Sequence, residues 1–389
     1  MKLEETFSWE VDKLAEAKRP DTSENFARVA AEIDAVIAPL AAERAIKWRG
    51  RILPGPLRVG FYLSTQGILA HTDNLLTLLS GLEKANWPIC CFIFVGGQEQ
   101  NPVFAEKFKR FNTIYTDPAA HPIDNWAEIQ RFAWDFHLDA FVHVSHTQGL
   151  TYAAGIRCAR KHIHWQMKWG GTFTGVDAVI DGNNPFHAGV GDASPFSCYT
   201  ALPDMTPTAD QVETAKIVRK RYNVRTVYGA FARDEKFSPE FIGAVKRILA
   251  ANMDSTFLYA SRNPIEGMPG KHIGWIDIRQ GVRVVDVLLD TFPFPGGHVT
   301  WEAIAAQKPI IFMRVPPGPQ HFAAELMEKY GSIPVISCDA DEYVGHALGA
   351  ARQNLTGLTM NYFAFYSNFM RNEHRMAENF VAAVTKVCA

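Results

Sequence analysis

Between Asp286 and Gln320 the chain reads DVLLDTFPFPGGHVTWEAIAAQKPIIFMRVPPGPQ. An apolar run ends at Asp290. A loop with Pro293, Pro295, Gly296 and Gly297 follows, and a helix opens near His298 to Thr300 with Glu302 in its first turns. A glycine pair ahead of a helix lets backbone N–H groups approach an anion unobstructed, and the helix N-terminus adds positive partial charge. His298 and Thr300 supply further hydrogen-bond donors. A carboxylate at Glu302 can accept both hydroxyls of a ribose, the role acidic residues play in dinucleotide sites. The chemistry is that of a diphosphate site with a sugar diol beside it. The plainer reading of the spacing is a strand–helix loop whose glycines serve the turn and whose Glu302 favours the helix dipole.

Other polar residues invite chemistry of their own. His71, in GILAHTDN, follows a first strand where a helix begins, with Asp73 two residues on. A histidine there can act as a general base, with Asp73 as its orienting partner or substitute. His143, His146, His162 and His164 suggest a metal, and His162 and His164 share one strand face. They lack a carboxylate or thiolate at ligand spacing, so they read as lining or core histidines, and no metal or other cofactor is expected. Asp339-Ala340-Asp341 follows a strand and reads as helix capping by Ser337 or Asp339. Six cysteines form no Cys-x-x-Cys pair; they read as buried free thiols of a cytoplasmic protein.

These residues need elements to hold them. Residues 1–50 look helical, with Glu24 to Trp48 carrying apolar residues at helical spacing. After the breaker cluster Arg51 to Pro56, strands are expected at Arg58 to Ser64, Ile89 to Val95, Ala140 to Ser145, His162 to Met167 and Ala178 to Asp181. Helices are expected after the first of them, capped by Thr72 or Asp73, and at Trp126 to Phe136. A second series starts near Pro203. Its strands are Thr226 to Phe231, Thr256 to Ala260, Asp286 to Asp290, Pro309 to Met313 and Pro334 to Ser337. Ser238-Pro239 is a helix start, and Asn361 to Val387 is a last amphipathic stretch. Strand–helix alternation implies parallel sheets covered on both faces, with ligands at the carboxyl ends of the strands.

The 389 residues carry a net charge of −2, and 26 Phe, 11 Tyr and 9 Trp must be buried or used. That excludes a disordered tail and a bulk nucleic-acid clamp. The N-terminal residues lack the apolar stretch of a secretory signal, and no run approaches the roughly 18 apolar residues of a spanning helix.

Three stretches, in order, resemble the two-domain GT-B glycosyltransferases, nearest the catalytic region of the protein O-GlcNAc transferases and their bacterial relatives. They are Ile163 to Gly175 (IHWQMKWGGTFTG), Thr226 to Pro239 (TVYGAFARDEKFSP) and LLDTFPFPGGHVTWEAIAAQKPII. The resemblance spans roughly residues 58–387. It implies an α/β GT-B fold with two facing Rossmann-like domains, a central cleft, a helical leader and a crossing C-terminal helix. The expected division is 1–55, 56–202, 203–360 and 361–389, with the aromatic tail packed back on the first domain.

The resemblance also implies roles. Lys236, with Arg233 in the same loop, neutralises the diphosphate. Gly296, Gly297, His298 and Thr300 bind its oxygens. Glu302, or else Asp290, holds the ribose, and Gly171, Thr172 and Phe173 line the cleft. The implied activity is metal-independent, inverting transfer from a UDP-sugar to a hydroxyl or amide of a protein, glycan or other acceptor. Alternatives are a non-hydrolysing UDP-sugar epimerase and a catalytically silent nucleotide-sugar-binding partner. Two departures stand out. The family's threonine pair is His298-Val299-Thr300 here. Trp275 to Arg279 (WIDIR) occupies a loop where relatives carry a lysine and a histidine, with Arg279 as the substitute.

Overall fold

Apolar runs become the inner strands of two parallel sheets. The computed structural model describes residues 2, 5–16, 23–43, 51–64, 70–96, 102–117, 119–120, 122–144, 152, 156–166, 173–181, 194–195, 205, 207–276, 278–314, 322–353 and 355–389. The chain divides into two units: residues 1–200 with 373–389, and residues 201–372.

The first unit opens with helices α1 (Thr6–Glu16) and α2 (Ser23–Glu43). Then come β1 (Leu57–Leu63), α3 (Ala70–Lys84), β2 (Ile89–Val95), α4 (Pro102–Phe108), β3 (Asn112–Tyr115) and α5 (Pro122–Asp135). Next are β4 (Ala140–Val144), β5 (Lys161–Gln166), β6 (Ala178–Asp181) and β7 (Ser194–Pro195). The sheet order is β3-β2-β1-β4-β5-β6-β7, and its pairings are parallel. The order reverses between β1 and β4, which creates a topological switch point. β4 is buried throughout, as a strand covered on both faces must be.

The second unit contains α6 (Ala209–Tyr222), β8 (Thr226–Phe231), α7 (Pro239–Ala251), β9 (Ser255–Ala260), β10 (Lys271–His272) and α8 (Ile278–Val284). It continues with β11 (Val287–Leu289), α9 (His298–Ala305), β12 (Ile310–Met313), α10 (Phe322–Lys329), β13 (Val335–Ser337), α11 (Ala340–Arg352) and α12 (Thr356–Phe365). The parallel order β10-β9-β8-β11-β12-β13 puts its own switch point between β8 and β11. The capping signals act as expected. Ser238 accepts the Phe241 N–H at 3.1 Å, and Asp339 accepts those of Asp341 and Glu342 at 2.8 Å. The Asp-x-Asp motif is thus a helix start.

Four sequence expectations need correction. Asn361 to Val387 is not one element. α12 and a π-helical turn (Tyr366–Met370) bury Tyr362, Phe365 and Tyr366 in the second unit's own core. Only α13 (Glu373–Cys388) joins the first unit, where Met376, Phe380 and Val384 enter its core. Gly81 of α3 lets the two helices approach, since a Cβ there would sit 2.2 Å from the Glu373 carbonyl oxygen. Second, Thr72 and Asp73 lie inside α3, not at its cap. Third, β3 was not anticipated. It is a four-residue edge strand with exposed ends, too short and polar to show as an apolar run. Fourth, Cys338 is exposed and Cys90 and Cys91 are half-buried; of the described thiols only Cys158 and Cys388 are buried.

Candidate functional site

The loops leaving β8 and β11 flank the switch point of the second sheet, and side chains tie them into one structure. After β8, residues Asp234–Lys236 make a 3-10 turn. Lys236 Nζ donates to the Pro295 carbonyl at 2.6 Å, and Ser238 Oγ donates to the Phe292 carbonyl at 2.8 Å. Asp234 braces the same turn against the end of β9. Its carboxylate accepts the Arg262 N–H at 2.7 Å and the Asn263 side-chain amide at 2.8 Å. Burial opposes ionisation of Asp234, but the bonds from the Asn263 side chain and from the Arg262 and Asn263 backbone outweigh it and hold the carboxyl below its usual range.

Asp290 organises the β11–α9 loop. Its Oδ1 accepts N–H bonds from Gly296 at 2.7 Å and Thr291 at 3.0 Å. Thr291 Oγ1 closes the loop on the Phe294 carbonyl at 2.6 Å. Gly296 has no room for a side chain: a Cβ would lie 2.6 Å from Asp290 Oδ1, 2.8 Å from Val299 Cγ1 and 2.9 Å from Thr300 Oγ1. Gly297, the residue before α9, has nothing within 4 Å of its would-be Cβ. The two glycines therefore serve different ends. Gly296 packs the loop, and Gly297 keeps the helix N-terminus clear. The Thr300 hydroxyl is fully buried and has no hydrogen-bond partner among the described residues.

Glu302 sits in the second turn of α9, 5% exposed. Its Oε1 meets Arg279 Nε of α8 at 3.2 Å and His298 Nδ1, one turn back, at 3.4 Å. Helical side chains lean toward the N-terminus, which brings Glu302 over His298. Lys236, Gly296, Gly297, His298, Thr300, Glu302, Asp290 and Arg279 thus belong to one loop-and-helix structure. Arg233 is half-exposed and pairs with Glu235 at 2.9 Å. The parts that sequence reasoning missed are bracing contacts: those of Asp234 and Thr291, and the second bond of the capping Ser238, to the Phe292 carbonyl. Their bonds run mostly to backbone groups, which no side-chain motif announces.

In the first unit, His71 and Asp73 occupy the first turn of α3, beside the switch point at β1; His71 is 6% exposed. Gly171 and Thr172 lie outside the described residues. Phe173 does not present an exposed ring. It is 4% exposed, packed with Ala30 and Val176, and edge-on to His164 at 6.2 Å. Thr174 fastens that segment to α2 through Asp34, by its N–H at 2.9 Å and its hydroxyl at 2.6 Å.

His143 and His162 form a buried pair. Cys158 N–H donates to His162 Nε2 at 2.9 Å, so the proton of a neutral His162 sits on Nδ1 and faces His143 Nε2 at 3.3 Å. Burial pushes His143 down to about 3 and His162 well below its ordinary value. His146 lies outside the described residues. Among the described residues, no group of three His, Cys, Asp or Glu is placed to hold a metal ion. None of the described helices is long and apolar enough to cross a membrane.

Two parallel α/β units in series, a last helix returning to the first, and a glycine loop at the second switch point define the GT-B fold. Solved structures agree. The chain is similar to an O-GlcNAc transferase mutant from Thermobaculum terrenum: 14% identity, TM-score 0.61, covering 95% of this chain and 79% of that one. It is similar to Anabaena HepE solved with UDP and glucose: 12% identity, TM-score 0.63, covering 85% and 100%. It is also similar to a glycosyltransferase from Rickettsia africae: 10% identity, TM-score 0.62, covering 85% and 98%. No family model and no curated protein matches the sequence.

Proposed function

We propose that the protein is a glycosyltransferase that binds a UDP-sugar on its second unit and transfers the sugar, with inversion and without a metal, to an acceptor hydroxyl or amide. One observation carries this reading. The loops on either side of the second switch point are joined by the Lys236–Pro295 bond, and they place a cation and an unobstructed helix N-terminus together. That combination meets the charge of a diphosphate and of the leaving group as it departs. In this reading Gly297, His298 and Thr300 take the phosphate oxygens and Glu302 takes the ribose. Asp290 is committed to the loop. Anabaena HepE, solved with UDP and glucose and also with UDP-glucose, supports the donor class.

Inversion requires that the acceptor proton leave as its oxygen or nitrogen attacks the anomeric carbon. His71 is the candidate base, with Asp73 beside it in the first turn of α3. The acceptor is a protein side chain, a glycan or another nucleophile, and the compartment is taken as cytoplasmic.

Titration calorimetry with UDP tests the donor site. Lys236→Ala and Glu302→Ala should each weaken UDP binding strongly, and unchanged affinity in both would sink the assignment. Incubation with UDP-sugars separates the alternatives. Acceptor-dependent UDP release is expected. An isomerised donor without acceptor would point to an epimerase, and binding with no turnover over an acceptor panel to a silent partner.

A further inference from the structure

We infer that Arg279 is the positioning residue of the ribose subsite, a role that rests on the nucleotide reading above. The geometry is specific. Glu302 is 5% exposed, and a carboxylate so buried needs compensation to stay ionised. Arg279 provides it: Nε meets Oε1 at 3.2 Å, with the two side chains 15% and 6% exposed. His298 Nδ1 approaches the same oxygen at 3.4 Å. Both contacts fall on Oε1, and among the described residues Oε2 takes no hydrogen bond. One oxygen is therefore anchored by the protein and the other is left to accept from a ligand.

The anchor comes from a different element. Glu302 and His298 share α9, while Arg279 stands at the start of α8. Within α9 alone the carboxylate would meet only His298, one turn back at 3.4 Å. A guanidinium is always charged and its planar donors fix the carboxylate's direction. Gly281, two residues after Arg279, helps set α8 at this height. A Cβ there would lie 2.9 Å from the Phe231 ring, at the end of β8. The carboxylate's aim is thus built by α8 and α9 together, across the residues that sequence spacing separates by more than twenty positions.

The consequence is a ligand preference that depends on Arg279. Glu302 held with Oε2 free accepts the ribose hydroxyls and discriminates against nucleotides lacking one. The test titrates UDP and 2′-deoxyuridine diphosphate by calorimetry into the native protein, Arg279→Ala, Arg279→Lys and Glu302→Gln. The native protein should prefer UDP by about tenfold or more, the usual worth of a hydrogen bond to a charged group. Arg279→Ala should bring the ratio near one while changing affinity for the deoxynucleotide less than about threefold, and Arg279→Lys should restore part of the preference. A merely structural arginine would weaken both nucleotides alike and leave the ratio intact; that result overturns the inference but spares the nucleotide reading. If Arg279→Ala does not fold by circular dichroism, the Arg279→Lys and Glu302→Gln ratios decide, and a native ratio in both overturns it. No UDP binding by the native protein removes the nucleotide reading and this role together.

Discussion

Lys236 Nζ donates to the Pro295 carbonyl oxygen at 2.6 Å, joining the loop after β8 to the loop after β11. The lysine is therefore held at the mouth of the glycine loop rather than reaching for it through solvent. A pre-placed cation loses less side-chain entropy when an anion arrives. Lys236→Ala is expected to weaken UDP by tenfold to a hundredfold, from a lost charge-assisted bond worth about 1.5–3 kcal/mol. Inorganic pyrophosphate should weaken in parallel, because the loss lies at the phosphates. Calorimetry with both ligands checks this.

The two glycines should respond in opposite ways. Gly296→Ala forces a methyl into Asp290 Oδ1, Val299 and Thr300 at 2.6–2.9 Å, so it should destabilise the second unit by about 1–3 kcal/mol. Gly297→Ala meets nothing within 4 Å and should leave stability within about 0.5 kcal/mol. Its methyl nonetheless stands at the α9 N-terminus and should lower UDP affinity. Urea unfolding paired with UDP titration separates the two; equal effects of both variants on stability would contradict the division of labour.

The buried histidine pair should make stability pH-dependent. Unfolded imidazoles protonate near pH 6.5, whereas burial holds His143 in the folded protein down to about 3 and His162 well below its ordinary value. In that interval the unfolded chain binds more protons, so stability is full above about pH 6.5 and is lost as pH falls below it. Each histidine contributes a slope of up to about 1.4 kcal/mol per pH unit. His143→Gln should flatten the slope between pH 6.5 and 4.5 by about one proton. Urea titrations at stepped pH measure it, and an unchanged slope counts against the pair.

α13 should behave as part of the first unit. Phe380 is fully buried and meets Phe61 of β1 at a ring separation of 5.4 Å. Phe380→Ala should cost about 3–5 kcal/mol. Hydrogen exchange should show lost protection in β1 and α3, with β8 and β11 little changed. Tyr362→Ala should give the converse, loosening the second unit and sparing β1.

The sequence by itself determined a good deal. Apolar runs of strand length separated by amphipathic segments specified two parallel sheets, because strands buried on both faces must be apolar throughout. Ser238-Pro239 and Asp339 announced helix starts through local chemistry that operates within three residues. The glycine loop and Glu302 stood out because an anion site needs bare backbone beside a helix start. Only the tertiary structure decided the rest. Strand order, and with it the switch point between β8 and β11, arises from non-local pairing. The same holds for the bracing of Lys236 on Pro295 and of Arg279 on Glu302, and for the destination of the last helices. α13 is amphipathic, whereas α12 is apolar nearly all round, and neither sequence says which core the helix enters. That choice follows from surfaces far apart in the chain: the close approach allowed by Gly81 for α13, and the second unit's own aromatic core for α12.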